Sequence, residues 1–178
     1  RGGCPAAGGK GAYGMKIAIC PGSFDPITKG HLNIIERSAR LFDSVVVLVL
    51  VNPNKRPTFS AEERVKFIQK ACEHIPNVKV DSYHGLLADY AKRIGACTII
   101  KGLRAVTDFE YEFQQALVNK QLNPDLETMF VITDSSYMYL SSSMVRQVAG
   151  FGGDVSGFLP ESICDEVVER LAQGKEKE

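Results

Sequence analysis

The sequence predicts an α/β fold: a doubly wound, five-stranded parallel sheet with helices on both faces. Three observations carry this. Five short apolar runs stand along the 178 residues, with helical spacings of apolar residues between them. One of these runs, VVVLVLV at Val45–Val51, is continuously apolar and β-branched, as a strand covered on both faces requires. Strands joined through helices rather than tight turns run parallel, and right-handed crossovers then wind the sheet in both directions.

The strands expected are Lys16–Cys20, Val45–Val51, Val78–Tyr83, Cys97–Lys101 and Thr128–Thr133. Leu32, Ile35, Ala39 and Phe42 fall at helical spacing after the first strand, with the helix opening at Thr28. Val65, Ile68, Cys72 and Ile75 repeat that spacing, and Ser60-x-x-Glu63 has the form of a capping box ahead of them. Asp108 is a candidate N-cap for a further helix in which Phe109, Phe113, Ala116 and Leu117 share a face, ended by Asn123-Pro124. Another helix is expected from the serine run at Ser141–Ser143. A last one, after Pro160, carries Ile163, Val167 and Leu171. The result is a Rossmann-like single domain over residues 15–178. Residues 1–14, RGGCPAAGGKGAYG, lack periodicity and an apolar signal core, and read as a flexible extension or expression remnant ahead of Met15.

Composition narrows the function. Basic and acidic residues balance at 21 each, so nothing argues for bulk attraction to nucleic acid or a membrane surface. No apolar run reaches the roughly 18 residues of a membrane span. Five cysteines without a C-x-x-C pair suit reduced thiols in a cytoplasmic protein, and Cys20 and Cys97 read as buried packing residues.

Ligands of such sheets bind outside the carboxyl ends of the strands, where strand order reverses. The loop after the first strand, Pro21-Gly-Ser-Phe-Asp-Pro-Ile-Thr-Lys-Gly-His31, runs into a helix start, whose unpaired N–H groups and partial positive charge suit a phosphate. His31 in that first turn can hydrogen-bond a phosphoryl oxygen as charge builds on it. Lys55 and Arg56 follow the second strand, Lys101 and Arg104 lie at the end of the fourth, and Tyr137 to Ser143 follow the fifth. Taken singly, each has an ordinary explanation as a cap, a solvated charge or a packing residue. Their shared edge of the sheet is what singles them out. The loop after the third strand, His84-Gly-Leu-Leu87, is mostly apolar and suits a carbon chain.

On these residues the chain resembles the bacterial phosphopantetheine adenylyltransferases, within the nucleotidyltransferase superfamily marked by an H/T-x-G-H motif. The motifs are Gly22-Ser-Phe-Asp-Pro26, Thr28-Lys-Gly-His31, Lys101-Gly-Leu-Arg104, Asp108-Phe-Glu-Tyr-Glu112, Leu140-Ser-Ser-Ser143, Gly153-Asp-Val155 and Phe158-Leu-Pro160. The resemblance implies that ATP transfers AMP to the phosphate of 4′-phosphopantetheine, giving dephospho-coenzyme A and pyrophosphate. It implies His31 as transition-state stabiliser, with Lys55 and Arg104 assisting. It places ATP against Ser23, Phe24, His31, Gly102, Leu103, Arg104, Glu112, Tyr137, Met138, Tyr139, Leu140, Ser141, Ser142 and Ser143. It places phosphopantetheine against Ser23, Lys55, Leu87 and Lys101. Mg²⁺ held by phosphates and water, a homohexamer and coenzyme A as a feedback ligand are implied as well. A phosphate nucleophile is already anionic at neutral pH, so no general base is required. Lys101 stands where arginine is frequent and Gln147 where a carboxylate is common. Transfer to another phosphorylated acceptor, and a non-catalytic nucleotide-binding module, are the competing readings.

Overall fold

The computed structural model describes residues 15–51 and 56–173. Its elements are β1 (Ile17–Gly22), α1 (Lys29–Ala39), β2 (Ser44–Leu50), α2 (Ala61–Ala71), β3 (Val78–Tyr83), α3 (Leu87–Ile94), β4 (Thr98–Leu103), α4 (Val106–Leu122), β5 (Glu127–Ile132), α5 (Ser142–Gly150) and α6 (Cys164–Gln173). Single 3₁₀ turns at Ser135–Tyr137 and Glu161–Ile163 precede α5 and α6. The five strands pair in the order β3-β2-β1-β4-β5, all parallel. Each expected strand is present: Val78–Tyr83 keeps the expected bounds, and the other four have ends shifted by one or two residues.

Side chains alternate faces along a strand, and here the alternation separates two cores. Ala18 and Cys20 of β1 and Val45, Val47 and Val49 of β2 face the first core, against Ile34 and Ile35 of α1 and Phe67 and Ile68 of α2. Val145 of α5 and Val167 of α6 close this layer. Ile19 and the intervening Val46 and Leu48 face the second core, against Tyr90 and Ala91 of α3. Because β2 is covered on both sides, its burial is nearly unbroken. The two helical quartets read from the sequence all lie in or against the first core.

Four expectations change. The segment after Gly85 is not simply a loop: Leu87 opens α3 and packs against the second core. Asp108 is not an N-cap, because α4 starts at Val106 with Ala105 in the cap position, leaving Asp108 in the first turn. The Phe109, Phe113 and Leu117 face of α4 is exposed rather than packed, with Phe109 stacked on Phe113 and edge-on to Phe130 of β5. Cys97 is exposed, whereas Cys20 is buried in the first core. The 1–14 extension lies outside the described residues. Among those described, no helix is long and apolar enough to cross a membrane.

Candidate active site

Strand order reverses between β1 and β4: the chain winds outward through β2 and β3, then returns to the other side of β1. The crevice at the carboxyl ends of these two strands is where the fold receives a ligand. Gly22, Ser23 and Phe24 leave β1 there, Leu103 and Arg104 leave β4, and α1 and α5 begin beside them.

The first loop is held by buried polar contacts. Phe24 takes a left-handed backbone conformation (φ 48°), which costs a non-glycine residue about 1–2 kcal/mol and must be enforced by its surroundings. The enforcement is visible. Arg64, buried on α2, donates from Nη1 to the Ser23 carbonyl (2.9 Å) and from Nε to the Ser60 carbonyl (3.2 Å). The buried Asp25 carboxylate accepts from the Thr58 and Phe59 N–H groups at 3.0 and 2.9 Å and pairs with Arg146 of α5 at 3.3 Å. Arg146 also donates to the Asp25 carbonyl. The Ser142 hydroxyl donates to the Pro26 carbonyl at 2.7 Å, tying α5 to the same loop.

Thr28 caps α1, and His31 completes a capping box at the third helical position. That position ordinarily favours Glu or Gln, whose side-chain oxygen accepts the N-cap N–H. Here His31 Nδ1 does so, at 3.1 Å from the Thr28 nitrogen. A backbone N–H can only donate, so Nδ1 is the acceptor and the neutral ring carries its proton on Nε2. Phe24 packs edge-on against the imidazole, with ring centroids 5.2 Å apart. Burial, and after it the charge of Arg104, pull the ring down from its ordinary value of 6.5 to about 4. At neutral pH His31 is therefore a fixed, uncharged N–H donor.

Arg104 is fastened on two sides. Its Nε and Nη2 donate to the Asp108 carboxylate at 3.1 and 3.3 Å, and Nη1 donates to the Leu140 carbonyl at 2.9 Å. Gly102 lets α1 approach β4, since a Cβ there would meet Ile34 at 3.1 Å. An apolar hollow of about 360 Å³, lined by Leu103, Arg104, Ala105, Val106, Phe109 and Ile132, opens alongside.

The residues singled out in the sequence are thus partly gathered. Ser23, Phe24, His31, Gly102, Leu103, Arg104, Leu140 and Ser141–Ser143 meet around the switch point. Ser141 spends its hydroxyl capping α5 through the Met144 N–H (3.1 Å), so this helix start offers its backbone groups more than its first serine. Tyr137 packs near Gly30 and faces a separate cleft of about 720 Å³ on the outer side of α1, with Asn33 and His74. Met138 and Tyr139 are exposed. Lys101 and Glu112, which the resemblance assigns to different substrates, pair with each other at 3.0 Å on the α3/α4 side of the sheet. Leu87 opens α3 beyond the end of edge strand β3, and Lys55 lies outside the described residues. Arg64 and Arg146 go unmarked in the sequence, and Asp25 and Asp108 stand within its motifs without a role in the site. Charged residues at loop and helix positions look solvated in a sequence, and only their partners across the fold reveal otherwise.

The sequence profile of the cytidylyltransferase-like family matches residues 19–148. A solved structure from Vibrio parahaemolyticus, 20% identical, shares the fold with a TM-score of 0.65 over 88% of this chain and 96% of its own. Among curated proteins, the phosphopantetheine adenylyltransferase of Caldanaerobacter subterraneus subsp. tengcongensis is 54% identical over 157 residues, covering 88% of this chain and 98% of that protein. That of Clostridium botulinum strain Alaska E43 is 55% identical over 156 residues, with the same coverages. The chain belongs to the cytidylyltransferase-like nucleotidyltransferases and, within them, to the phosphopantetheine adenylyltransferase family.

Proposed function

We propose that the protein transfers AMP from ATP to 4′-phosphopantetheine, releasing pyrophosphate and forming dephospho-coenzyme A. The identity with the curated adenylyltransferases over nearly their whole length carries the reading. The 4′-phosphate attacks the α-phosphorus in line, and the bond to pyrophosphate breaks without a covalent enzyme intermediate. The attacking group is already ionised, so the protein's task is to align two anions and receive the charge that develops.

His31 offers its Nε2–H to an α-phosphoryl oxygen, and being neutral it needs no protonation step. Arg104 and the N-termini of α1 and α5 add donors around the nucleotide, with Ser23, Phe24, Gly102, Leu103 and the 137–143 segment lining it. Lys55, Leu87 and Lys101 receive phosphopantetheine, and Lys101 must exchange or share Glu112 to do so. The cleft presents N–H, hydroxyl and cationic groups, a set that complements phosphate oxygens. Mg²⁺ would be held by the nucleotide's phosphates and water rather than by this donor set, and would supply charge that neutralises the pyrophosphate.

A homohexamer is the assembly we propose, supported by the exposed apolar side chains of α4, including Phe113 and Leu117 at 45% and 56% exposure. Coenzyme A as feedback ligand and a cytoplasmic setting complete the proposal. The test is pyrophosphate release with ATP, Mg²⁺ and phosphopantetheine, run beside CTP and beside nicotinamide mononucleotide and glycerol phosphate as acceptors. Release that requires ATP and phosphopantetheine together is expected. ATP binding without such release would overturn the activity, and preference for another acceptor would overturn the substrate.

A further inference from the structure

We propose that Asp108 is a positioning residue: it presets the Arg104 guanidinium so that its remaining donors meet the nucleotide as a rigid fork. The inference rests on the reading that Arg104 faces ATP. A guanidinium has five N–H donors. Asp108 takes two of them, on Nε and Nη2, and the Leu140 carbonyl takes one on Nη1. Two remain, one on each terminal nitrogen, and a phosphoryl group can bridge such a pair. The Arg104 backbone N–H also points to Asp108 Oδ2, at 3.4 Å, so side chain and main chain are gripped by one carboxylate.

Helix geometry makes the grip possible. Ala105 caps α4 without a side-chain hydrogen bond, and residues four apart around a helix start come into contact. Leu140 supplies the second anchor from the segment leading into α5, so the guanidinium spans the two arms of the crevice. The pair is partly exposed, at 38% and 30% of the side chains, and such pairs contribute little to folding stability. Ordering the arginine before the nucleotide arrives, however, removes a cost from binding and from reaching the transition state. A strong effect of Asp108 on ATP use with little effect on stability is therefore the mark of positioning.

The experiment is a double-mutant cycle of Asp108→Asn and Arg104→Ala, read by kcat/KM for each substrate, by ATP affinity in calorimetry without acceptor, and by thermal midpoint. Asp108→Asn should lower kcat/KM for ATP by about 10- to 100-fold, the scale of a misaligned group. The KM for phosphopantetheine and the midpoint should stay nearly unchanged. In the Arg104→Ala background the same substitution should have almost no further effect, and Asp108→Glu should recover part of the loss. Equal penalties in both backgrounds, equal damage to both substrates, or an activity loss that tracks the midpoint would each overturn the proposal. Wild-type protein that binds ATP but releases no pyrophosphate with phosphopantetheine would sink the activity proposed above. The coupling between Asp108 and Arg104 in ATP affinity would still be judged by the calorimetric arm.

Discussion

Replacing His31 with Gln separates the two roles its ring performs. In the folded chain Nδ1 closes the capping box on Thr28, and Nε2 presents the donor to the crevice. Gln at this helical position can supply the capping oxygen, but its amide N–H₂ branches from the same carbon and does not extend to the place of Nε2. His31→Gln should therefore fold with a stability close to that of the wild type. Its turnover should fall by about 10²- to 10³-fold, or about 2.7–4 kcal/mol, the measured scale for removing one transition-state donor. His31→Ala should show the same loss of turnover and, in addition, about 0.5–1.5 kcal/mol less stability, because the Thr28 N–H loses its acceptor. Pyrophosphate release under saturating ATP and phosphopantetheine gives the first quantity, and urea unfolding gives the second. A His31→Gln enzyme that turns over within a few-fold of wild type would remove Nε2 from the chemistry. A variant that loses stability instead of turnover would make His31 a helix cap and nothing more.

Three further outcomes are expected. The His31 imidazole should titrate near pH 4 by NMR, leaving turnover free of a His31 protonation step from pH 8 down to about 5. Between roughly pH 6.5 and 4 the unfolded chain binds a proton that the folded ring refuses, so His31 stabilises the fold fully above that window and progressively less as the pH falls through it; an ordinary midpoint near 6.5 would contradict this. Arg64→Met should lower the unfolding free energy by about 2–4 kcal/mol, since it strips the Ser23 and Ser60 carbonyls of their donor in a buried setting, and ATP binding should weaken with it. Unchanged stability in urea would show that the loop holds without this arginine. Phe113→Asp places a charge on the apolar face of α4, and light scattering should then report a smaller assembly; an unaltered hexamer, or a wild-type monomer, would exclude that face as the contact.

Much of this protein is legible in its sequence because its main devices are local or periodic. β2 announces itself as a doubly covered strand by seven consecutive apolar residues, and α1 and α2 by quartets at helical spacing, since burial demands those patterns whatever the fold. Ser60 and Glu63 mark the start of α2 because a capping box is completed within four residues. The same locality exposes His31: a ring at a position that usually carries Glu or Gln, on the helix following β1, points to a task beyond capping. The tertiary structure decided what depends on distant partners. Asp108 grips Arg104 because α4 begins three residues earlier than its helix signals suggest, and Leu140 reaches the same guanidinium from 36 positions away. Asp25 binds the Thr58 and Phe59 amides across 33 and 34 positions, and Arg64 reaches Ser23 across 41. Long-range pairings of this kind leave no spacing in the chain, for their geometry exists only once β1, β4 and the helices between them have packed. The neutrality of His31 belongs with them: the sequence supplies an imidazole, while burial beside Arg104 makes it an uncharged donor at neutral pH.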